Sequence, residues 1–179
     1  MNQIYFSRSS VLTAVTVGLF AAQAHAADGM ISFEGNIVGQ TCSVVSAAQN
    51  VVLPTISVQA LKDGVAAGNK LFSISVKGCD AKENGTIKAA FEVGPNVDIA
   101  TGNLRNSGLE SGAAKNVQIS LHNKNDGSKI TIGDASTIKS YKIDSGGSAK
   151  MDYIAKYVAV GSVGFGKVKS NVTFSLYYE

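Results

Sequence analysis

The sequence predicts an all-β protein, an antiparallel β-sandwich of immunoglobulin-like type. Three observations predict it. Short runs rich in Val, Ile, Thr, Phe and Tyr recur between Gly/Asn turns. Several of these runs alternate apolar and polar residues with a period of two. Glycine is abundant, with 19 residues, while Pro occurs twice and Trp not at all, which suits many short strands joined by tight turns.

The first 26 of the 179 residues read as an export leader. Arg8 supplies the positive start, Val11 to Ala22 a mainly apolar stretch, and Ala24-His25-Ala26 a small-x-small cleavage site, with cleavage between Ala26 and Ala27. The apolar stretch falls short of the roughly 20 residues that span a bilayer. Cleavage leaves 153 residues, a single domain's worth. It removes one of the 16 basic residues and none of the 13 acidic ones, leaving a net charge of about +2. The remaining basic residues are scattered Lys with Arg105, and no basic run points to nucleic acid.

Asp28 to Val38 (DGMISFEGNIV) is the first strand-like stretch, with Ile31, Phe33, Gly35 and Ile37 on one face and Ser32, Glu34 and Asn36 on the other. Gly39 to Val45 carries Cys42, and Val51 to Ser57 is again extended. Pro54 cannot donate to a sheet ladder and belongs at an edge or bulge. Val58 to Lys70 reads as a loop with at most one turn of helix, because Gly64 and Gly68 interrupt it. Leu71 to Val76 alternates and runs into Cys79.

Two cysteines in an exported chain read as a disulfide, Cys42 to Cys79. Closing the 36-residue loop between them stabilises by roughly 4 kcal/mol in the chain-entropy model. The bridge requires the Cys42 segment to lie beside the strand that ends at Cys79.

Thr86 to Val93 is the next strand. Gly94 to Lys115 is a long polar loop with a short extended piece at Ile99 to Leu104. Val117 to Leu121 and Lys129 to Ile132 form a hairpin around the Asp-Gly turn at Asn123 to Gly127. Ser136 to Asp144 holds another short strand. Met151 to Val160 is assigned to strand by its aromatic and β-branched content, followed by a turn at Gly161 to Gly166. Lys167 to Glu179 is a long closing strand with Val168, Val172, Phe174, Leu176 and Tyr178 in phase. No internal repeat occurs at a period of 20–50 residues.

Catalytic constellations are poor. Outside the leader, His122 is the sole histidine and sits beside a turn, where a surface role is the simpler reading. Asn123, Asn125 and Asp126 lack the later Glu of a calcium loop and fit turn chemistry. Gly161, Gly164 and Gly166 match no nucleotide fingerprint. Asn84-Gly85-Thr86 and Asn171-Val172-Thr173 are formal glycosylation sequons. Tyr153, Tyr157, Tyr177 and Tyr178 form a conceivable sugar platform, against which stands the commoner role of alternating aromatics as core. No enzyme activity, cofactor or metal is expected.

Several pieces together match one family. They are ISFEGNIV, TCSV around Cys42, VVLPTISVQAL, FSISVKGC ending at Cys79, NVQISLHNKNDGSKITIG, YIAKYVAVGSVGFGKV and the terminal VTFSLYYE with its penultimate Tyr178. In this order, and over nearly the whole mature chain, the sequence resembles the structural pilins of the chaperone–usher pathway, subunits of type 1-like and P-like bacterial fimbriae. Pro54 departs from the Gly common there, and Gly166 to Val172 lacks the usual small Ala.

The resemblance implies an incomplete immunoglobulin-like sandwich that lacks its last strand. Residues 1–26 would be the signal peptide, 27–38 an N-terminal donor strand and 39–179 the pilin domain. Val172, Phe174, Leu176 and Tyr178 would border a groove, filled first by a periplasmic chaperone. The donor strand of the next subunit, with Ile31, Phe33, Gly35 and Ile37, would then replace the chaperone at an outer-membrane usher. The sequence ending directly after an apolar strand fits that expectation, since no returning strand covers the edge. The implied partners are other pilin subunits, the chaperone, the usher and, through the assembled fibre, a host surface. The competing function is a tip adhesin that binds carbohydrate.

Overall fold

The computed structural model describes residues 30–35, 37, 42–79, 85–108 and 111–179. The chain divides into two units, Met1–Ile37 and Val38–Glu179, and the strands belong to the second. They are β1 (Ser43–Val44), β2 (Ala67–Lys77), β3 (Thr86–Phe91), β4 (Val97–Asp98), β5 (Asn103–Arg105), β6 (Lys115–Asn123), β7 (Lys129–Ile130), β8 (Tyr141–Lys142), β9 (Ala149–Gly164) and β10 (Phe174–Tyr178). The described residues contain no α-helix; two 3-10 segments, Val58–Gly64 and Ala135–Thr137, lie between strands.

Two antiparallel sheets form the sandwich. The larger runs in the order β1-β2-β9-β6-β5-β4, with β7 also on β6; the smaller runs β10-β3-β8. β9 is the spine of the larger sheet, paired with β2 from Phe72↔Tyr153 to Val76↔Ala149 and with β6 from Val117↔Ala159 to Asn123↔Tyr153. Its alternation explains this position. Ala149, Met151, Tyr153 and Ala155 are buried, while Lys150, Asp152, Ile154 and Lys156 face outward.

Tyr153 is fully buried at the centre of the core. Its ring packs on Phe72 (5.5 Å), Phe91 (5.2 Å) and Tyr141 (6.1 Å), joining both sheets. The Ala89 backbone N–H donates to its hydroxyl at 3.4 Å, and burial pushes the phenol well above its ordinary pKa. Each such buried side chain stabilises the fold by about 1.5–3 kcal/mol. Tyr153 is therefore core and no part of a sugar platform.

Some boundaries differ from the sequence reading. Val58 begins a seven-residue 3-10 segment, longer than one turn, started by Ser57, whose hydroxyl accepts from Gln59 N–H at 3.2 Å. β2 begins at Ala67, four residues earlier than the alternation suggests. The register shifts between Ala67 and Lys70, and Gly68 at φ +72° makes this bulge, with the Tyr157 ring 2.7 Å from where a Cβ would stand. β9 runs on to Gly164, through the expected turn, because Gly164 still pairs with Lys115. β10 enters its ladder only at Phe174, while 167–173 is held by backbone hydrogen bonds to Glu92, Ser107, Gly112 and Ala114.

Candidate functional site

The open edge of β10 defines the site. β10 pairs on one side with β3, from Phe174↔Phe91 to Tyr178↔Ile87, and on the other with no strand among the described residues. The same side continues backwards: Glu92 N–H donates to Thr173 O, Ser107 N–H to Lys169 O and Ala114 N–H to Lys167 O. Successive residues of an extended chain direct their backbone groups to opposite sides. The odd residues therefore bond toward β3, and the backbone groups of Val168, Ser170, Val172, Phe174 and Leu176 point to the open edge.

Facing that edge is Val51 to Ile56, which belongs to no ladder among the described residues. Pro54 sits in it, exposed, in keeping with an edge position. Between the two segments lies an apolar groove that exposes the interior of the sandwich. One cavity of about 230 Å³ is lined by Leu53, Phe72, Ile74, Phe91, Val172 and Phe174. A second of about 390 Å³ is lined by Ile56, Leu61, Val117, Tyr157, Val163 and Val168. Val168, Val172, Phe174, Leu176 and Tyr178 are half-buried and pack on the core. Val168, Val172 and Phe174 line the cavities, and the alternation read in the closing strand puts Leu176 and Tyr178 on the same half-buried side.

The groove is tied at its Tyr178 end. Cys42 and Cys79 form a disulfide with Cα atoms 4.2 Å apart, and β1 pairs with β2 beside it (Ser43↔Lys77, Val44↔Val76). The Cys42 backbone N–H donates to the Tyr178 hydroxyl at 3.0 Å. Cys79 N–H donates to Gly147 O at 3.0 Å, docking the turn before β9 onto the same bridge. At residue 179 the Glu179 carboxylate accepts from Lys88 and from Ser140 Oγ (2.5 Å). These two donors, Lys88 first, hold its pKa below the ordinary value.

In the first unit, Ile31, Phe33 and Ile37 are 79%, 92% and 99% exposed, and among the described residues nothing lies within 4 Å of a Cβ added at Gly35. Asn36, Val38, Ala26 and Ala27 lie outside the described residues, as does the leader.

Other candidates resolve into structural roles. His122 has its ring nitrogens 3.1 Å from Ser120 Oγ and 3.0 Å from Gly127 O, and burial lowers its pKa. Asp126 accepts from Ser128 N–H and Oγ, as a turn residue does. No group of three or more potential metal ligands occurs among the described residues. Asn171 of one sequon accepts from Asn96 Nδ2 at 3.0 Å.

Sequence reasoning misses three features: the role of Tyr178 as acceptor for Cys42, the placement of Leu61 in the groove, and Ser170 in the lining of the smaller cavity. A signal for Ser170 exists. The even phase from Val168 to Tyr178 passes through it.

The family model described as "FimA: Type-1 fimbrial protein, A" matches residues 53–179. The chain is 35% identical over 175 residues to the F17 fimbrial protein of Escherichia coli, covering 91% of this chain and 96% of that protein. It is 34% identical over 165 residues to the major fimbrial subunit SMF-1 of Stenotrophomonas maltophilia, covering 87% and 95%. Among solved structures, the P pilus rod subunit PapA superposes with a TM-score of 0.60 at 22% identity, covering 77% of this chain and 99% of that one, a likeness of fold. A structural, non-enzymatic role is what these relatives share. The chain belongs to the type-1 fimbrial protein family, the fimbrial subunits of the chaperone–usher kind.

Proposed function

We propose that this chain polymerises by donor-strand exchange: Ile31 to Ile37 of one copy fills the groove of the next. The observation that carries the reading is the open edge of β10 beside an apolar groove. Such an edge invites strand addition, and the groove offers pockets for alternate side chains of an added strand. Ile31, Phe33 and Ile37, exposed in the single chain, supply those side chains at period two. Each gains about 1.5–3 kcal/mol if fully buried.

In this reading residues 1–26 are removed on export, 27–38 are the donor and 39–179 the acceptor domain. A chaperone covers the groove in the periplasm until an usher brings the next donor. Donor and acceptor are different surfaces of one chain, so the contact is head-to-tail and does not close, which builds a filament at the cell surface. The chain then meets a host surface as part of that fibre, as a shaft or adaptor subunit.

Deleting Ala27 to Val38 tests the reading. The variant is expected to retain its fold and disulfide but to give no SDS-resistant, heat-sensitive oligomer ladder and no fibres by electron microscopy. Normal fibres from the deletion variant would overturn it.

A further inference from the structure

The lysines are scattered along the sequence but gathered in space. Strand side chains alternate between the two faces of a sheet, and residues paired across a ladder share a face. On the outer face of the larger sheet, β9 presents Lys150, Asp152, Ile154 and Lys156, opposite the buried row of Met151, Tyr153 and Ala155. The ladders carry that face sideways. Ile154 pairs with Leu71 and His122, His122 with Lys129, and Val158 with Gln118, which pairs in turn with Arg105. Lys150 pairs with Ser75, and Lys77 follows in phase on β2. Lys124 reaches the face through its ion pair with Asp152 at 3.2 Å.

Six basic side chains, Lys77, Arg105, Lys124, Lys129, Lys150 and Lys156, thus share this face with two acidic ones, Asp98 and Asp152. Its net charge of +4 (6 − 2) exceeds the +3 of the whole sequence. Both acids are occupied, Asp152 by Lys124 and Lys150, and Asp98 by Arg105 at 3.4 Å. Lys129 and Lys156 have no carboxylate partner among the described residues. Lys129 Nζ donates to Thr101 O at 2.6 Å, a neutral partner that leaves its charge uncompensated. His122 lies between these two lysines: burial first, and then their charges, hold its imidazole below the ordinary pKa.

We infer that the outer face of the larger sheet binds a sulfated polysaccharide, with Lys129 and Lys156 at the centre of the contact. Charge selects a polyanion, and the remaining side chains select among polyanions. β2, β6 and β9 turn no Phe or Tyr outward: Phe72 and Tyr153 pack in the core, and Tyr157 lines the larger cavity. Single-stranded nucleic acid is held by stacking its bases on such rings, and duplex DNA is read by an element narrow enough to enter a groove. Between the lysines stand instead the Ser75 hydroxyl and the aliphatic side chains of Leu71, 58% exposed, and Ile154. Hydroxyls and aliphatic surface suit the hydroxyls and C–H edges of sugars, and lysine point charges suit sulfate groups whose position varies along a chain. From Lys150 to Lys156 the face runs about 20 Å, so one extended chain touches its whole length.

The groove opens on the inner side of this sheet, so filling it leaves the outer face free. Binding by one subunit is independent of the donor-strand reading; only the gain from repeating the face along a fibre rests on it.

Immobilised heparin is the probe, offered to the protein as purified subunit and as fibres over a range of salt concentration. Retention is expected at low salt and its loss at high salt, with fibres held more tightly than subunits. The double variant Lys129→Gln/Lys156→Gln should weaken subunit binding about tenfold or more, with a salt slope shallower by about two. Lys129→Arg/Lys156→Arg should retain binding. Lys70→Gln/Lys142→Gln removes the same charge elsewhere, Lys70 from the row of buried Ala155 and Lys142 from the smaller sheet, and should change little. Equal losses from the two Gln pairs would overturn the inference, because net charge alone would then account for retention. So would equal retention on desulfated heparin, or tighter binding to single-stranded DNA or to phosphatidylserine vesicles than to heparin. A subunit that binds heparin through Lys129 and Lys156 but forms fibres without Ala27 to Val38 would sink the donor-strand reading and leave this one standing.

Discussion

The backbone N–H of Cys42 donates to the hydroxyl of Tyr178 at 3.0 Å, across 136 positions of sequence. It joins the first strand region of the larger sheet to the last strand of the smaller one at the end of the groove. Beyond it, Val51 to Ile56 joins no ladder among the described residues, and β10 pairs with β3 on one side and with no described strand on the other. The sandwich is therefore fastened at one end and open along its length.

Tyr178→Phe removes the acceptor and keeps the ring. The expected loss is about 1 kcal/mol, the net value of one hydrogen bond, increased somewhat because the Cys42 N–H is left part-buried. Thermal unfolding of the unassembled subunit should show a fall of about 2–4 °C. An unchanged midpoint would mean that water replaces the phenol without penalty.

The disulfide acts on the same corner. Replacing Cys42 and Cys79 together with Ser frees a 37-position separation in the unfolded chain, for an expected loss of roughly 4 kcal/mol. Urea titration measures it, and the midpoint should fall while the slope rises, because the unfolded chain is less compact. In the native protein a thiol-reactive dye should find no free thiol among Cys42 and Cys79.

Gly147 is the least replaceable residue of the turn that docks on this bridge. It sits at φ +70°, and an added Cβ would lie 2.5 Å from the Cys79 carbonyl oxygen, a backbone atom. Asp144 fixes the turn by accepting from Gly146 and Ser148 N–H, both at 2.9 Å. Gly147→Ala is expected to cost about 1–3 kcal/mol through strain and displacement of Cys79. Gly127→Ala is the control: φ +71° there too, but with nothing within 4 Å, so only the conformational part of the penalty remains.

The sandwich is legible in the sequence wherever one strand face is buried and the other wet. β9 is the clearest case: Met151, Tyr153 and Ala155 in, Asp152, Ile154 and Lys156 out. The alternation from Val172 to Tyr178 likewise matches the half-buried side of the last strand. Legibility fails where backbone conformation rather than side-chain pattern decides. The bulge at Gly68 hides the first four residues of β2, and the strand beyond Gly161 reads as a turn because glycines punctuate it. The opposite wall of the groove reads as a strand, which its composition suits. It joins no ladder among the described residues, and a sequence pattern does not say which neighbour an extended segment will have. Ser170 escapes notice because one hydroxyl in an apolar run looks like noise until its place in the cavity lining is known.

Acid should loosen the fold in two stages. Burial lowers the pKa of His122, so the unfolded chain binds the proton more readily. Its contribution is fully present above the ordinary value of 6.5 and is lost as pH falls through the folded value. Asp152 and Glu179 are depressed as well, Asp152 chiefly by the Ser73 hydroxyl at 2.6 Å and Glu179 chiefly by Lys88. Their contributions are present above the ordinary values of 3.8 and 4.5 and are lost as pH falls below them. Stability from urea titrations should therefore be flat just above about pH 7, decline through the histidine range, and decline again in the carboxylate range. His122→Asn should flatten the upper step alone. Glu179→Gln should reduce the lower step and loosen the end of β10, which the carboxylate holds to Lys88 and Ser140. A single steep transition unaffected by either substitution would place the acid sensitivity in other groups.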